Sequence, residues 1–465
     1  MSTYTFFINR TCFQIMAAAI AGGALGLLSF FGLLPLTGLA LFLACAALVV
    51  LFKNAYHRLV FSGVLLFFCV FIEPSPSDLI FCAVIALGLF TGRFRRQVIG
   101  RASVVIGMFL VYFLACMPGI FSSYDLNSAI RYCFITFYLF VMSVFVCMYT
   151  DRSNVVSLLR AYILAACASF AAGLAGILGL FPHLLMADSF RVHGLFKDAN
   201  VFGPFFIPAV ILLWDDRNKK VLWKAGGALH VLVAALLSLG VLCSYSRAAW
   251  INLIAACFIY AFLHLKAIRP QRLLRIVLVV GTAACVLAFL LFSPALRSVG
   301  VVRFLLDRAQ LQDYDKNRFA SQFGGLELIL RYPLGVGPGQ FENQISDITG
   351  RRLSAHSLYI RTASENGVFG GIAFFSALSA TVLMLWFKQR SLQRCKASPL
   401  FIRENPKKIS ESPGTVLSPA ALIAVLTGLL INSLVIDTLH WRHLWFFIGL
   451  ALCRIKEKGA GDEYG

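Results

Sequence analysis

The sequence predicts an all-α fold: a polytopic membrane helical bundle of about 12 to 14 transmembrane helices, with one large helical loop outside the membrane. Three observations lead to this prediction. The mean hydropathy is +0.82, only 13% of the 465 residues are charged, and apolar runs near membrane-spanning length recur from residue 12 to residue 453. Soluble globular domains are about 25% charged, so the composition excludes that class.

Each predicted span is an apolar run whose length approaches that needed to cross the hydrocarbon core, which is about 30 Å thick. The first run follows Arg10 as a signal peptide would, but apolar sequence continues to Phe52 with no cleavage site after a short core, so we expect this run to be retained. The predicted spans are residues 12–33, 36–52, 57–73, 77–92, 102–121, 128–149, 157–181, 200–214, 223–243, 248–264, 276–293, 356–386, 417–435 and 441–453.

Loop lengths divide the chain into three predicted parts. Most connections are short, which favours a single bundle, and residues 1–293 form its N-terminal part of about 11 spans. Residues 294–355 are predicted to form a long loop on the outer side of the membrane. Residues 356–465 contain the C-terminal spans, a polar cytoplasmic loop at 388–416 and a cytoplasmic tail.

The long loop is predicted to contain an amphipathic helix. In FASQFGGLELILRYP, apolar residues recur at helical spacing, which suits a helix lying across the bundle or on the membrane surface. Pro333 ends this helix, and the glycines of LGVGPGQF provide a turn. The apolar positions are Phe319, Phe323, Leu326, Ile329 and Leu330.

The distribution of charge orients the chain. The formal net charge is +20, and most of the 41 Lys and Arg residues lie in alternate loops and the C-terminal tail, as in RFRRQVIGR and KAIRPQRLLR. This positive-inside asymmetry predicts that both termini are cytoplasmic, and it explains the charge without a nucleic acid. The 13 Cys residues form no CxxC pair, and all but Cys395 lie in predicted spans, which favours core packing over disulfides or metal binding.

Cations on the outer side oppose this bias and indicate an anionic ligand there. They occur in RVHGLFKDANVFGPF around Arg191, in SYSRAAW around Arg247, and in the long loop. Arginine suits phosphate because its planar guanidinium donates paired hydrogen bonds and keeps its charge when desolvated. The alternative is solvation or contact with lipid head groups, which we favour for Arg297, Arg308 and Arg352. It is less favoured for Arg191 and Arg247, because a charge at the mouth of a span is costly.

The same motifs resemble the O-antigen ligase and polymerase superfamily. RVHGLFKDANVFGPF, SYSRAAW, LILRYPLGVGPGQF and AHSLYIRTASENGVFGG occur in the family's order over about residues 185–450, with the long loop in the same place, whereas the first 180 residues match only as hydrophobic spans. The resemblance implies a glycosyltransferase of the bacterial inner membrane that moves glycans from undecaprenyl diphosphate on the periplasmic side.

The resemblance also implies a metal-independent, inverting transfer in which an acceptor hydroxyl attacks the anomeric carbon and diphosphate leaves. Arg191 and Arg247 would hold the diphosphate. His356 would be the general base or would orient the acceptor, because its ordinary pKa of about 6.5 suits proton transfer near neutral pH. No cofactor is implied. The residues that would bind substrate are Arg318, Lys197, Asp198, Asn200, Gly337 and Tyr359.

Several of these residues have structural alternatives that the sequence leaves open. His356 could cap the helix that follows it. Lys197 and Asp198 could pair with loop charges, and Asn200 could cap the span that begins there.

Other polar residues are predicted to be structural. Arg361 lies four residues before Glu365, so the two share a helix face and are expected to neutralise each other within the membrane. DYD, at 313–315, has the form that places two carboxylates near a divalent ion, but such triplets are common by chance. DTLHWRH spreads its Asp and His residues around a helix, so we prefer a structural role, with Trp441 and Trp445 as interfacial anchors.

The leading functional prediction is an O-antigen ligase-like enzyme that uses a lipid A core as acceptor. A polysaccharide polymerase, which uses a second lipid-linked glycan as acceptor, and an enzyme that glycosylates a protein serine are alternatives with the same chemistry. An alternative of another class is a transporter or flippase of an anionic lipid-linked solute. A transporter should show interrupted spans and charges near the midplane in related halves, whereas here the polar residues gather towards one face.

Overall fold

The protein is a helical bundle in all of the chain that can be described. The computed structural model describes residues 54–92, 99–121, 123–188, 190–264, 299–310, 312–397 and 418–453, together with residue 282. Within these ranges the regular structure is helical, and extended residues pair only at the bridge between Met186 and Val192. The predicted all-α fold is confirmed.

The helices are numbered here in chain order within the described ranges. They are α1 (Ala55–Leu65, extended by a 3-10 turn at Leu66–Phe68), α2 (Pro76–Phe90), α3 (Ile99–Phe121), α4 (Leu126–Tyr149), α5 (Val155–Ile177), α6 (Pro182–Leu185), α7 (Ala199–Lys219), α8 (Gly227–Cys243), α9 (Arg247–His264), α10 (Gly300–Ala309), α11 (Asp313–Arg331), α12 (Phe341–Thr349), α13 (Leu358–Ala397), α14 (Pro419–Asn432) and α15 (Arg442–Leu452).

The apolar helices coincide with predicted spans. Six described helices, namely α3, α4, α5, α7, α9 and α13, are long and apolar enough to cross a membrane, and five shorter apolar helices accompany them. The chain is therefore a multi-pass membrane protein. The predicted spans at 12–33, 36–52 and 276–293 lie outside the described residues, so a total of about 12 to 14 stays a prediction, as do the boundaries of the three predicted parts.

Polar residues at the helix ends determine where several spans begin. The Ser75 amide donates to Asp78 Oδ2 at 2.9 Å while the Asp78 amide donates to Ser75 Oγ at 3.3 Å, which forms a capping box at the start of α2. Asp78 also accepts a hydrogen bond from Nε of Arg442 at 2.7 Å, which joins the starts of α2 and α15. Both side chains are largely buried, where a lone charge would be costly, and the contact pairs them.

Aromatic side chains fill the centre of the bundle around α7. The apolar part of α7 is 83% buried, the highest fraction among the long helices in the described ranges. Tyr162 of α5 donates its hydroxyl hydrogen to the Phe205 carbonyl oxygen at 2.8 Å, and Phe446 of α15 stacks on Tyr162 at 5.9 Å. The helix that carries the RVHGLFKDAN motif at its start is therefore held on all sides by other spans.

The prediction that Trp441 and Trp445 are interfacial anchors is wrong. Trp445 is 0% exposed and Trp441 is 7% exposed. Trp445 packs against Phe109 of α3 at 5.3 Å and donates its indole hydrogen to the Leu439 carbonyl oxygen at 2.7 Å. The short helix α15 is enclosed by the bundle, so its tryptophans are core residues and do not face the membrane interface.

The described part of the long loop folds into α10, α11 and α12. The predicted amphipathic helix is present as α11, which ends at Arg331, two residues before Pro333. The turn that follows has positive φ at Gly335 (90°), Gly337 (102°) and Gly339 (68°), as the glycines of LGVGPGQF predict. The Gly337 amide donates to the Glu365 carbonyl oxygen at 2.9 Å. This turn therefore joins the loop to α13.

Candidate functional site

The motifs singled out in the sequence lie at one end of the bundle, where α7, α9, α13 and α15 begin. The Val192 amide donates to the carbonyl oxygen of Cys243, the last residue of α8, at 3.2 Å. The Leu358 amide, at the start of α13, donates to the Ser433 carbonyl oxygen at 3.0 Å. The long loop covers the same end, because Arg247 at the start of α9 contacts it directly.

Arg191 is held at the junction of two motifs. Its Nε donates to the Ser244 carbonyl oxygen at 3.2 Å, and Nη2 donates to Asn200 Oδ1 at 2.8 Å. Asn200 Oδ1 also accepts a hydrogen bond from the Ser246 hydroxyl at 2.9 Å. Asp198 Oδ1 lies 3.8 Å from Arg191 Nη2, and the arginine side chain is 17% exposed. A network of polar side chains thus fixes the Arg191 guanidinium close to Ser246, the residue that precedes Arg247.

Arg247 connects the start of α9 to the long loop. Its Nη1 donates to the Gln310 carbonyl oxygen at 3.1 Å, and Nη2 lies 2.5 Å from Asp315 Oδ1. The Asp315 carboxylate is 6% exposed and also accepts the Gln312 amide hydrogen at 2.8 Å. Burial raises the pKa of Asp315, but the hydrogen bonds from Arg247 and Gln312 outweigh it and hold that pKa below the ordinary value. Asp315 is therefore an anion that fixes the arginine in place.

His356 lies directly before α13 in a strained backbone conformation, with φ of 46°. A left-handed backbone is uncommon for a residue that has a Cβ, and strain of this kind is often found at functional sites. Burial lowers the pKa of His356 below 6.5, and the nearby Arg318 guanidinium lowers it further, while Asp198 acts in the opposite direction. The imidazole is consequently neutral at neutral pH and able to accept a proton.

The capping alternatives are resolved by the hydrogen bonds. At the start of α13, Ser357 Oγ accepts the Ile360 amide hydrogen at 3.5 Å, so Ser357 and not His356 takes the capping position. At the start of α7, Asp198 Oδ1 accepts the Asn200 amide hydrogen at 2.9 Å. The idea that Asn200 caps this span is therefore wrong, because Asp198 is the cap and Asn200 binds Arg191 instead.

The other predicted binding residues divide into two groups. Arg318 and Asp198 lie near enough to His356 to change its pKa. Lys197 points to another loop, where its Nζ lies 2.9 Å from Glu73, which agrees with pairing to a loop charge.

Gly337 and Tyr359 make contacts that explain them structurally. A Cβ on Gly337 would lie 2.6 Å from the Gly119 carbonyl oxygen of α3. The Tyr359 hydroxyl donates to the Leu430 carbonyl oxygen of α14 at 2.9 Å, and its ring packs against Phe375 at 5.0 Å. No contact described for either residue joins it to Arg191, Arg247 or His356, so their role in binding stays a prediction.

A second charged cluster surrounds Arg361 in the first turns of α13. Arg361 lies 3.3 Å from Glu365, as the sequence predicts, but it also lies 2.7 Å from Asp437 and 3.4 Å from Glu342. Its guanidinium stands over the Tyr132 ring, 5.4 Å from the centroid. The pair predicted from the sequence is thus part of a larger network that joins α13, α12 and the segment before α15.

The charged residues that sequence reasoning missed are those whose partners are distant in the chain. The sequence suggests Asp315 only as part of a metal triplet, whereas the structure pairs it with Arg247. Among the described residues, no group of three or more His, Cys, Asp or Glu side chains is arranged to hold a metal ion. Arg308, which we expected to be solvated, has a side chain only 17% exposed that lies 3.9 Å from Asp188 and 5.3 Å from the Phe304 ring centroid. Its helix, α10, packs on the segment that carries Arg191, which the sequence could not reveal.

Comparison with known families identifies the segment that contains much of this site. Residues 232–375 match the family model for O-antigen ligase. This segment is therefore similar to the O-antigen ligase family. The match confirms the resemblance to the ligase and polymerase superfamily of membrane glycosyltransferases. It includes Arg247, Arg318 and His356, whereas Arg191 lies before it. No match to the chain is found among curated proteins.

Proposed function

We propose that the protein is an O-antigen ligase-like glycosyltransferase that moves a glycan from undecaprenyl diphosphate to an acceptor hydroxyl, with a lipid A core as the acceptor. The observation that carries the proposal is the meeting of three distant motifs at one end of the bundle. Arg191 and Ser246, the neighbour of Arg247, both bind the Asn200 side-chain oxygen, and Arg318 and Asp198 both lie near His356.

The arginines are suited to a diphosphate leaving group. Arg191, Arg247 and Arg318 face two carboxylates, Asp198 and Asp315, so the cluster has a positive balance when the imidazole is neutral. Preorganised cations stabilise the charge that develops on the leaving phosphate oxygen as the bond to the anomeric carbon breaks. Arg191 and Arg247 are already held by hydrogen bonds, which limits the entropy lost when they bind an anion.

His356 is suited to the acceptor side of the reaction. Its neutral imidazole would take the hydroxyl proton while the acceptor oxygen attacks the anomeric carbon, and the electron pair of the broken bond would leave with the diphosphate. Attack from the face opposite to the leaving group inverts the anomeric centre. In this proposal the three arginines provide the positive charge, so no metal ion takes part.

The charge distribution supports a periplasmic site in the bacterial inner membrane. The basic segment 217–224, at the end of α7, lies at the opposite end of the bundle from Arg191 and His356. Because basic loops remain in the cytoplasm, the site would face the periplasm and both termini would be cytoplasmic.

The experiment that tests this function uses purified protein, a lipid-linked glycan and one of two acceptors. We expect transfer to lipid A core, and we expect it to continue in excess chelator. Transfer only to a second lipid-linked glycan would establish the polymerase alternative. Movement of the intact lipid-linked glycan across the membrane without transfer would establish a transporter instead.

A further inference from the structure

The helix α11 has an apolar face that no part of the described protein covers. Phe323 is 72% exposed and Leu330 is 82% exposed, and Phe319 and Leu326 complete the same row. These four residues are spaced at intervals of three or four, so they form one stripe along the helix. For the rest of this section the apolar stripe means Phe319, Phe323, Leu326 and Leu330.

The opposite face of α11 packs on the protein. Ser321 Oγ donates to the Ser354 carbonyl oxygen at 2.5 Å. A Cβ on Gly325 would lie 2.3 Å from Ile360 of α13, and Leu328 is 1% exposed in a small core with α12. At 100° per residue these positions lie opposite the apolar stripe. The helix therefore cannot turn the stripe inward without losing these contacts.

The end of α11 lies beside exposed apolar residues of α13. The Val368 amide of α13 donates to the Pro333 carbonyl oxygen at 2.9 Å, just after α11 ends. Close by on α13, Phe369 is 72% exposed and Ile372 is 58% exposed, on a helix that is apolar and long enough to span the membrane. Leu334, 66% exposed, follows the apolar stripe in the chain, and its backbone lies next to Gly367 of α13. The C-terminal end of the apolar stripe thus lies close to exposed apolar residues of α13, a helix long enough to span the membrane.

We propose that α11 is an in-plane membrane anchor whose apolar stripe is buried in the outer leaflet of the phospholipid bilayer. A helix of this kind lies at the boundary between head groups and acyl chains, with its polar side towards water or protein. The basic residues suit this position, because Lys316 and Arg331 near the two ends of α11 are exposed at head-group level.

The anchor sets the height of the charged cluster above the membrane. Asp315, in the first turn of α11, holds Arg247, and Arg318 is on the same helix. A helix fixed in the interface would keep these side chains at the level of phosphate head groups. This consequence rests on the proposed function, whereas the anchor itself does not.

The test uses an environment-sensitive fluorescent amino acid at position 323 or 330 of the full chain. The protein is placed in nanodiscs of phosphatidylethanolamine and phosphatidylglycerol, where an aqueous quencher reaches both faces. Position 347 is the matched control, because Asp347 is exposed on a helix, α12, of the same loop. No glycan is present, so the result does not depend on catalysis.

We expect lipids brominated on their acyl chains to quench the probe at 323 and at 330 several-fold more strongly than at 347, and aqueous iodide to do the reverse. Equal quenching by iodide at all three positions would overturn the proposal. Protection of 323 and 330 from both quenchers would also overturn it, because the stripe would then be covered by protein, such as a second copy of the chain.

Discussion

His356 shows how one residue can be prepared for chemistry by its surroundings. Burial and Arg318 both disfavour the charged imidazolium and lower its pKa. A base that must accept a proton benefits from this, because its imidazole stays neutral to lower pH than that of an ordinary histidine. The strained backbone at φ 46° is maintained between Ala355, which is fully buried, and the first turn of α13.

The first prediction concerns the pH dependence of transfer. In the unmodified protein we expect the transfer rate to fall on the acid side of the pH–rate profile, with the midpoint of this fall below 6.5, the ordinary histidine pKa. Arg318→Ala removes a positive charge that disfavours imidazolium, so the pKa rises and the acid limb moves to higher pH. Arg318→Lys keeps the charge and should leave the limb where it was. The profile of kcat/KM for the three proteins measures this, and an unmoved limb in Arg318→Ala would contradict the role given to Arg318.

The sequence draws attention to single residues where a charge occurs against the general pattern. Arg191 and Arg247 stood out because cations at the outer ends of spans are unusual, and the structure brings their motifs together. The sequence does not reveal the partners of Asp315 and Asp437, which are 68 and 76 residues away. Such pairs depend on tertiary structure, and local spacing carries no trace of them.

At the scale of elements, Arg361 is the charge that joins α13 to its neighbours. It is 13% exposed, and it lies close to Glu365, Glu342 and Asp437, which come from α13, α12 and the segment before α15. Glu365 in turn accepts the Phe341 amide hydrogen at the start of α12 at 3.3 Å. This cluster and the glycine turn before α12 both hold the long loop against α13.

The second prediction is that Arg361→Ala destabilises the protein strongly. Removing one partner of a buried ion pair leaves uncompensated charge and costs about 3–5 kcal/mol. Arg331→Ala is the matched control, because Arg331 and Glu327 form an exposed ion pair on α11. Exposed pairs of this kind contribute about 0–1 kcal/mol. Thermal unfolding in detergent measures both. Equal shifts of the midpoint in the two variants would show that the cluster is not a structural junction.

The elements themselves were largely predictable, since apolar run length determines where a chain crosses the membrane. Within the described residues, all six long helices coincide with predicted spans. The interruption of α13 was not predicted. Gly367 has φ of 73° and ψ of 175° inside this helix, and a Cβ there would lie 2.6 Å from the Leu334 carbonyl carbon. The close approach of a distant turn requires glycine here, and the sequence of the helix alone does not show it.

At the scale of the whole molecule, charge separates the two ends of the bundle. One end carries Arg191, Arg247 and His356 with the long loop. The other end carries the basic segment 217–224 at the end of α7, where Arg160 Nε donates to the Leu222 carbonyl oxygen at 2.5 Å. The proposed mechanism needs the first end to face the periplasm, where the resemblance puts the lipid-linked donor.

The third prediction is the topology itself. Alkaline phosphatase inserted at Gly350 should be active, and green fluorescent protein fused after Gly465 should fluoresce, because the first folds only outside the cytoplasm and the second inside. Gly350 is suited to the insertion, since it is exposed and a Cβ there would meet nothing within 4 Å. Inactive alkaline phosphatase together with a non-fluorescent fusion would place Arg191, Arg247 and His356 on the cytoplasmic side. The proposed periplasmic donor could then not reach them.

The most direct test of the central claim is glycan transfer by Arg191→Ala and Arg247→Ala, measured with purified protein and lipid-linked donor. Arg352→Ala is the control, because Arg352 is an exposed arginine of the long loop. Losing a preorganised cation that acts on the leaving group costs about 100-fold or more in rate. We therefore predict such losses for Arg191→Ala and Arg247→Ala in protein that is inserted and folded, with little change for Arg352→Ala. Transfer at the unmodified rate in both site variants would contradict the assignment of these arginines to the diphosphate.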